Sequence, residues 1–344
     1  MTGEVVLGLG LCTPVGISAQ MSLASMRAGI LRFVETEVED GFDEPVRASR
    51  LELLETSLTR TERMILLGRE ALAEVRHLFA GAQAKPIPLY LGIPEPGIGA
   101  AVEREPLLAA LQEVAGEQVR FMEVQEGGRA AFFEALVAAR EDLRSGRAGH
   151  VALVGAVDSL CDRVSLNALA EARVHLGPEN PDGRIPGEAA GFVVVARPGG
   201  PKAVSRQALG VVLGAELAME PLPFSCQGPS QADGLTRLFR NLSRDPVAGA
   251  RRMDAVLACQ PGESFWSTEF SRAYLRNAAW MPEPLRWRSA GEFLGDAGAG
   301  AGPVMLGAAL SWATRQAEQS RTVVYGCSDG GRVGACVVET FSAG

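Results

Sequence analysis

The side chains best suited to nucleophilic or metal chemistry in this chain are six cysteines and three histidines. Cys12, Cys161, Cys226, Cys259, Cys327 and Cys336 form no CxxC pair and no Cys/His ligand pattern. Most sit inside apolar runs and read as reduced, buried thiols. His77 falls on a helical stripe, His150 opens an apolar run and His175 precedes Pro178 in a polar stretch, so none stands beside a cysteine in sequence. A thiol needs a nearby base, cation or helix N-terminus to ionise at neutral pH. Cys259, after Val-Leu-Ala and before Gln-Pro-Gly, is the best remaining nucleophile, because a strand end beside a turn is where a cleft forms. Cys226, in Pro-Phe-Ser-Cys-Gln-Gly, is expected in an exposed loop. Asp158 and Glu188 could act as an acid and base pair or as structural hydrogen-bond acceptors. Gly8-Leu-Gly10-Leu-Cys-Thr13-Pro14 opens like a dinucleotide-binding turn, but Thr13 replaces the third glycine and Pro14 follows. No cofactor and no metal are expected.

The chain has 344 residues, 47% apolar and 22% charged, with a net charge of -8, which fits a globular protein and argues against a general nucleic-acid-binding face. Its first residues, Met1-Thr-Gly-Glu-Val-Val-Leu, lack a basic region and so do not resemble a signal peptide; a cytoplasmic location is expected. The longest weakly charged stretch, 295–313, holds Asp296 and Pro303 and reads as a buried helix rather than a membrane span. Arg237, Arg240 and Arg244 recur at helical spacing near Arg251-Arg252, a basic surface whose default reading is a solvated helix face. Trp266, Trp280, Trp287 and Trp312 have no regular spacing and read as packing or interface residues.

These residues must be held by an alternation of short β-branched runs and longer helix-period segments, the pattern of an α/β fold with a buried sheet. Candidate strands begin near Val5, Pro88, His150 and Gly191, then near Gly210, Asp254, Thr322 and Gly334, four in each half. Helices are predicted over Arg60–Phe79, Ala130–Arg144, Gln231–Leu242, Thr268–Ala278 and Pro303–Gln316. Gly146 is placed to end the second in a left-handed conformation. Both halves close alike, with an apolar run ending in glycine followed by another strand, which suggests a duplicated unit. Pro198-Gly-Gly-Pro201 punctuates the chain between residues 1–200 and 201–344.

Four separated stretches resemble the thiolase-like condensing enzymes, the β-ketoacyl synthases in particular. They are Val6-Leu-Gly-Leu-Gly-Leu-Cys-Thr-Pro14-Val-Gly16; Arg144-Ser-Gly-Arg-Ala-Gly-His-Val-Ala-Leu-Val-Gly155-Ala-Val-Asp158; Ile185-Pro-Gly187-Glu188-Ala-Ala-Gly191; and the glycine-rich Gly295–Gly302 with Tyr325-Gly-Cys-Ser-Asp-Gly330-Gly331. Their order is what carries the likeness. It implies a thiolase-like αβαβα layered fold built from two similar halves, dimerised through a central strand. In that family Glu188 and Asp158 would support loops and the dimer core.

The resemblance also implies where chemistry would sit. Condensation needs a thiolate, oxyanion donors and two imidazoles, or histidine and asparagine. Counting back from Ser145-Gly146 puts the family's nucleophilic cysteine on Arg129. Its two histidines match Cys259 and Asp296, with Ala299 at a glycine position, and its usual lysine is absent. Gly127-Gly128-Arg129 resembles the Gly-Gly-Gln segment of chain-length factors, subunits that pair with an active ketosynthase; here arginine replaces glutamine. That reading implies an active ketosynthase as heterodimer partner, or a homodimer, with acyl carrier protein a further partner. An arginine beside a helix N-terminus opposes the helix dipole and calls for a carboxylate. Asp296 is the expected partner, the alternative being a solvent-exposed Arg129 in an ordinary turn. Autonomous acyl transfer or hydrolysis by Cys259, and a non-enzymatic binding scaffold, are the other readings.

Overall fold

The computed structural model describes residues 3–78, 86–198, 208–226, 228–313 and 319–341. The punctuation expected around residue 200, and the predicted helix ends at Phe79 and Gln316, fall outside them.

The first half of the chain runs β1 (Glu4–Cys12), α1 (Ala19–Arg27), β2 (Phe33–Glu39), β3 (Pro45–Ser49), α2 (Arg60–Val75) and β4 (Ile87–Ile93). It continues with α3 (Arg104–Ala115), β5 (Val119–Glu126), α4 (Ala131–Ser145), β6 (Val151–Ser159), α5 (Arg163–Glu171) and β7 (Glu188–Ala196). The second half runs β8 (Gly210–Met219), α6 (Asp233–Arg244), β9 (Ala255–Ala258), α7 (Ser264–Arg276) and β10 (Trp287–Ser289). It ends with α8 (Gly291–Leu294), α9 (Ala301–Ala313), β11 (Arg321–Cys327) and β12 (Arg332–Thr340).

One mixed sheet of ten strands has the order β10-β9-β11-β12-β8-β1-β7-β6-β4-β5. Its two sides repeat one plan. In each, the first strand pairs antiparallel with the last, the last antiparallel with the fourth, and the second and third lie parallel beyond. β1 and β8 join the sides through Glu4↔Val212, Val5↔Val211 and Val6↔Gly210. Each side holds five strands of this sheet rather than the four expected. The additional ones, β5 and β10, are its two edges, and an edge strand is only partly buried, so its sequence lacks the unbroken apolar run of a central strand. β2 and β3 form a separate hairpin.

Strand alternation sorts the core into layers. On β7, Val193 and Val195 join a central core with Phe132, Phe133 and the buried face of α9, while Phe192 and Val194 turn outward to α2. On β11, Val324 points to the centre and Val323 and Tyr325 point outward to α6 and α7. Helices α4 and α9 therefore lie between the two sides of the sheet, with α2 and α3 outside one and α6 and α7 outside the other. This is the expected αβαβα layering. α9 is apolar nearly all round because both its faces are covered, whereas α4 is so only over its first turns and carries Arg140, Glu141, Asp142 and Arg144 toward its end. α2 opens with a capping box, Thr59 Oγ accepting from Glu62 N while the Glu62 carboxylate accepts from Thr59 N at 2.8 Å. α4 ends as predicted, on Gly146 at φ 81°.

Glu188, at the start of β7, is fully buried and accepts two 2.8 Å bonds from the guanidinium of Arg63 on α2, with further bonds from Ser159 Oγ and Leu51 N. Glu188→Ala strands the Arg63 charge without a partner. It is expected to lower unfolding stability by about 3–5 kcal/mol, read as a drop in the urea midpoint.

Candidate functional site

Of the three positions matched to catalytic groups, Arg129 and Cys259 follow strand ends, one on each side of the sheet, and Asp296 lies between two helices. Arg129 occupies a single 3-10 turn, Gly128–Ala130, between β5 and α4. Cys259 directly follows β9. Asp296 lies between α8 and α9, its backbone paired with the segment before β7 through Asp296 N to Ile185 O and Gly187 N to Asp296 O. Gly326 on β11 allows the Arg129 turn to come this close, since a Cβ there would lie 2.2 Å from the Arg129 carbonyl oxygen.

Arg129 and Asp296 meet. Arg129 is 3% exposed, and its Nη1 donates to Asp296 Oδ1 at 3.0 Å and Oδ2 at 2.9 Å. Its Nε donates to the Cys327 carbonyl at 2.9 Å, and its Nη2 to Asp329. The guanidinium lies 4.7 Å from the Trp266 ring centre, a cation–π contact. The expected ion pair is therefore present, and it is part of something larger. Arg184 donates to Asp296 Oδ2 at 2.9 Å and Glu263 Oε1 at 2.7 Å, and lies 3.0 Å from Asp329 Oδ2. Trp266 Nε1 donates to Glu263 Oε2 at 3.0 Å. Glu95 accepts from Asp329 N at 2.8 Å and Gly330 N at 3.1 Å. Phe224 stacks on Trp266 and covers Arg184 at 5.3 Å, while Ser225 N donates to the Asp329 carbonyl. The loop carrying the exposed Cys226 is thereby fastened over the centre.

Burial opposes every charge here, and the outcome differs by group. Burial pushes the Asp296 carboxyl up, but Arg129 and Arg184 outweigh it and hold it below its ordinary value. Burial likewise works against the two arginines, whose carboxylate partners raise them above theirs. Glu263 and Glu95 are raised by burial, only partly offset by the arginines. The Cys259 thiol, 2% exposed, is pushed well up by burial. It sits in the central core and has no activated character.

The expectation that Asp158 and Glu188 support loops is met within the chain. Asp158 takes Arg60 Nη2 at 2.8 Å and Ala299 N at 3.0 Å, so it fixes the turn that follows Asp296. The histidines lie apart: His175 is buried against Asp40, His77 lies near the Glu74 carbonyl, and His150 is exposed. A cavity lined by Arg60, Glu95 and Glu126 borders the centre on the Glu95 side, without Arg129, Cys259 or Asp296 in its walls. Among the described residues no cluster could hold a metal ion and no helix is long and apolar enough to cross a membrane.

Sequence reasoning missed Arg184, Glu263 and Glu95. Asp329 stood inside a quoted glycine-rich motif without being singled out. The available signal was unbalanced charge in turns: each acidic residue sits beside Gly or Pro at the end of an apolar strand run.

Solved structures of the same shape exist. The ishigamide ketosynthase/chain length factor aligns over 99% of this chain and 100% of its own at 19% identity, with a TM-score of 0.72. The fold is that of the ketosynthases. A ketosynthase from module 6 of the bacillaene synthase of Bacillus subtilis aligns over 99% of this chain and 72% of its own, at 13% identity and a TM-score of 0.75. A chain from a type II polyketide synthase acyl-carrier protein in complex with its ketosynthase bound to the hexaketide gives 12% identity, 99% and 100% coverage, and a TM-score of 0.73. No protein-family profile matches the chain, and no curated protein matches it in sequence. At these identities the likeness concerns the ketosynthase fold, and function has to be argued from the residues.

Two guanidiniums face three carboxylates in the centre, a balance of -1 before Glu95 is added. Arg129→Met leaves three carboxylates around Arg184 and is expected to cost about 3–5 kcal/mol, whereas adding Asp296→Asn to it restores roughly 1 kcal/mol or more. A double-mutant cycle by urea unfolding measures this.

Stability should also follow pH in two opposing ways. Asp296, held low when folded, contributes stability that is present above the ordinary aspartate range and lost as pH falls below it. Glu95 and Glu263, raised when folded, bind more protons in the folded than in the unfolded chain just above the ordinary glutamate range, so stability falls as pH rises through that window. Urea midpoints from about pH 3 to about pH 8 should peak on the acid side of neutrality, and Glu95→Gln should flatten the alkaline limb.

Proposed function

We propose that this chain is a β-ketoacyl synthase-like subunit without a Cys/His/His catalytic set, acting as a chain-length-factor-like partner of an active ketosynthase in fatty-acid-like or polyketide biosynthesis. The observation that carries this reading is the Arg129–Asp296 pair, which fills with buried, mutually bonded charges the positions matched to a nucleophilic cysteine and a histidine. Arg129 is held at full charge and can neither attack a thioester nor accept a proton. Cys259, at the other histidine position, is buried and kept as a thiol. Autonomous acyl transfer through Cys259 therefore has no support from its surroundings.

A partner would find an attachment point at β5. It is one of the two edges of the large sheet, and the one that leads straight into the Arg129 turn. Unpaired backbone groups along an edge accept another strand, and Met122 is 39% exposed there. A ketosynthase joined at this edge would lie close to the filled centre and would supply the cysteine and histidines itself. The exposed arginines Arg240 and Arg244 on α6 offer a basic face to an acidic acyl carrier protein.

Incubated alone with a carrier protein bearing a labelled acyl group, the purified chain should acquire no covalent label. Co-expressed with a ketosynthase encoded beside it, it should copurify as a complex that condenses acyl units, and Met122→Lys should weaken that complex without unfolding the chain. Label on Cys259, abolished by Cys259→Ala, would overturn the proposal, as would full condensing activity of the ketosynthase without this chain.

A further inference from the structure

Away from this centre, a cavity of about 380 Å³ opens where β9, β10 and β11 begin, against α9. Its walls are Leu257, Leu285, Trp287, Ala309 and Trp312. Trp287 is fixed by stacking on Phe270 and Trp312 by an edge contact with Phe293, so the apolar walls are preformed. Leu285 is 47% exposed at the mouth, apolar surface that a bound molecule would remove from water.

The polar rim leaves an unbalanced positive charge. Asp254 is engaged by Arg251 at 3.0 Å and by Arg321 N at 2.7 Å. Arg288 is engaged by Glu292 at 2.7 Å and lies over the Phe293 ring. Arg286 has an exposed guanidinium with no carboxylate among the described residues, and its backbone is anchored by accepting Val256 N at 2.8 Å. A lone cation at the rim of an apolar slot of this volume describes a receptor for one kind of molecule.

We propose that this cavity binds a small amphipathic carboxylate, its apolar body between Leu257, Leu285 and Trp312 and its carboxylate at Arg286. The proposal does not depend on the reading of the Arg129 centre. A neutral molecule of the same length would leave Arg286 unpaired, and a cationic one would be repelled.

Octanoate is the probe, with octanol and octylamine as comparators, titrated into the full chain by calorimetry and followed in parallel by tryptophan fluorescence. Octanoate should bind at one site per chain and perturb the fluorescence. Octanol should bind several-fold more weakly and octylamine not at all. Arg286→Ala, a surface change that leaves the fold intact, should weaken octanoate about fivefold while leaving octanol unchanged, and Arg286→Lys should recover part of the loss. Absence of saturable octanoate binding, equal binding of octanol, or octanoate binding unaffected by Arg286→Ala would each overturn the proposal.

Discussion

The constraint on which the rest of the site depends is the cost of keeping Arg129 and Arg184 out of water. A buried guanidinium is tolerated only when carboxylates and acceptors meet it in good geometry. Here those acceptors come from separate parts of the chain: Asp296 before α9, Asp329 after β11, Glu263 before α7 and the Cys327 carbonyl at the end of β11. Satisfying two arginines therefore fixes these three acceptor segments and the stretch carrying Arg184 relative to one another and to the start of α4. The Phe224 and Trp266 rings then close over the guanidiniums, excluding the water that would weaken each bond. Arg129 and Asp296 spend their polar groups on one another and on their neighbours in this centre.

The same device recurs behind it. Arg60 and Arg63, three residues apart on the first turn of α2, reach to Asp158 and Glu188 on β6 and β7. Asp158 in turn holds Ala299, and Glu188 holds Leu51. Arginine suits this work because its planar fork binds a carboxylate through two nitrogens and still donates elsewhere. Lysine could not replace it at Arg63, which bonds both Glu188 oxygens and the Glu55 carbonyl. Every ion pair among the described residues uses arginine, apart from His175–Asp40.

How much of this was legible beforehand follows from burial. Central strands such as β7 are covered on both faces, so Gly191-Phe-Val-Val-Val declares itself as an unbroken apolar run. β5, Val-Arg-Phe-Met-Glu-Val-Gln-Glu, is an edge with polar residues along it, and β10 has three residues. Neither has enough apolar length to stand out. Within the site, Arg129 and Asp296 were visible because ordered motifs locate them, and electrostatics demanded a carboxylate for the arginine. Arg184, Glu263 and Asp329 were not, because one arginine needs only one counter-charge and nothing in the sequence says that a second arginine enters the same volume. Their convergence is a property of the layered fold.

That second arginine bears on why charge rather than hydrocarbon fills the centre. Apolar side chains of similar volume would often be as stabilising as a buried ion network, so stability alone does not favour this solution. Apolar packing, however, tolerates several arrangements of neighbouring loops. In the network, displacing the Asp329 loop or the segment holding Asp296 leaves a guanidinium facing too few acceptors, a penalty of about 3–5 kcal/mol. The charged filling thus selects one arrangement of the loops between β5 and α4, around Phe224 and after β11. A surface built from those loops is held rigid, and a rigid surface loses less conformational freedom when another protein docks on it.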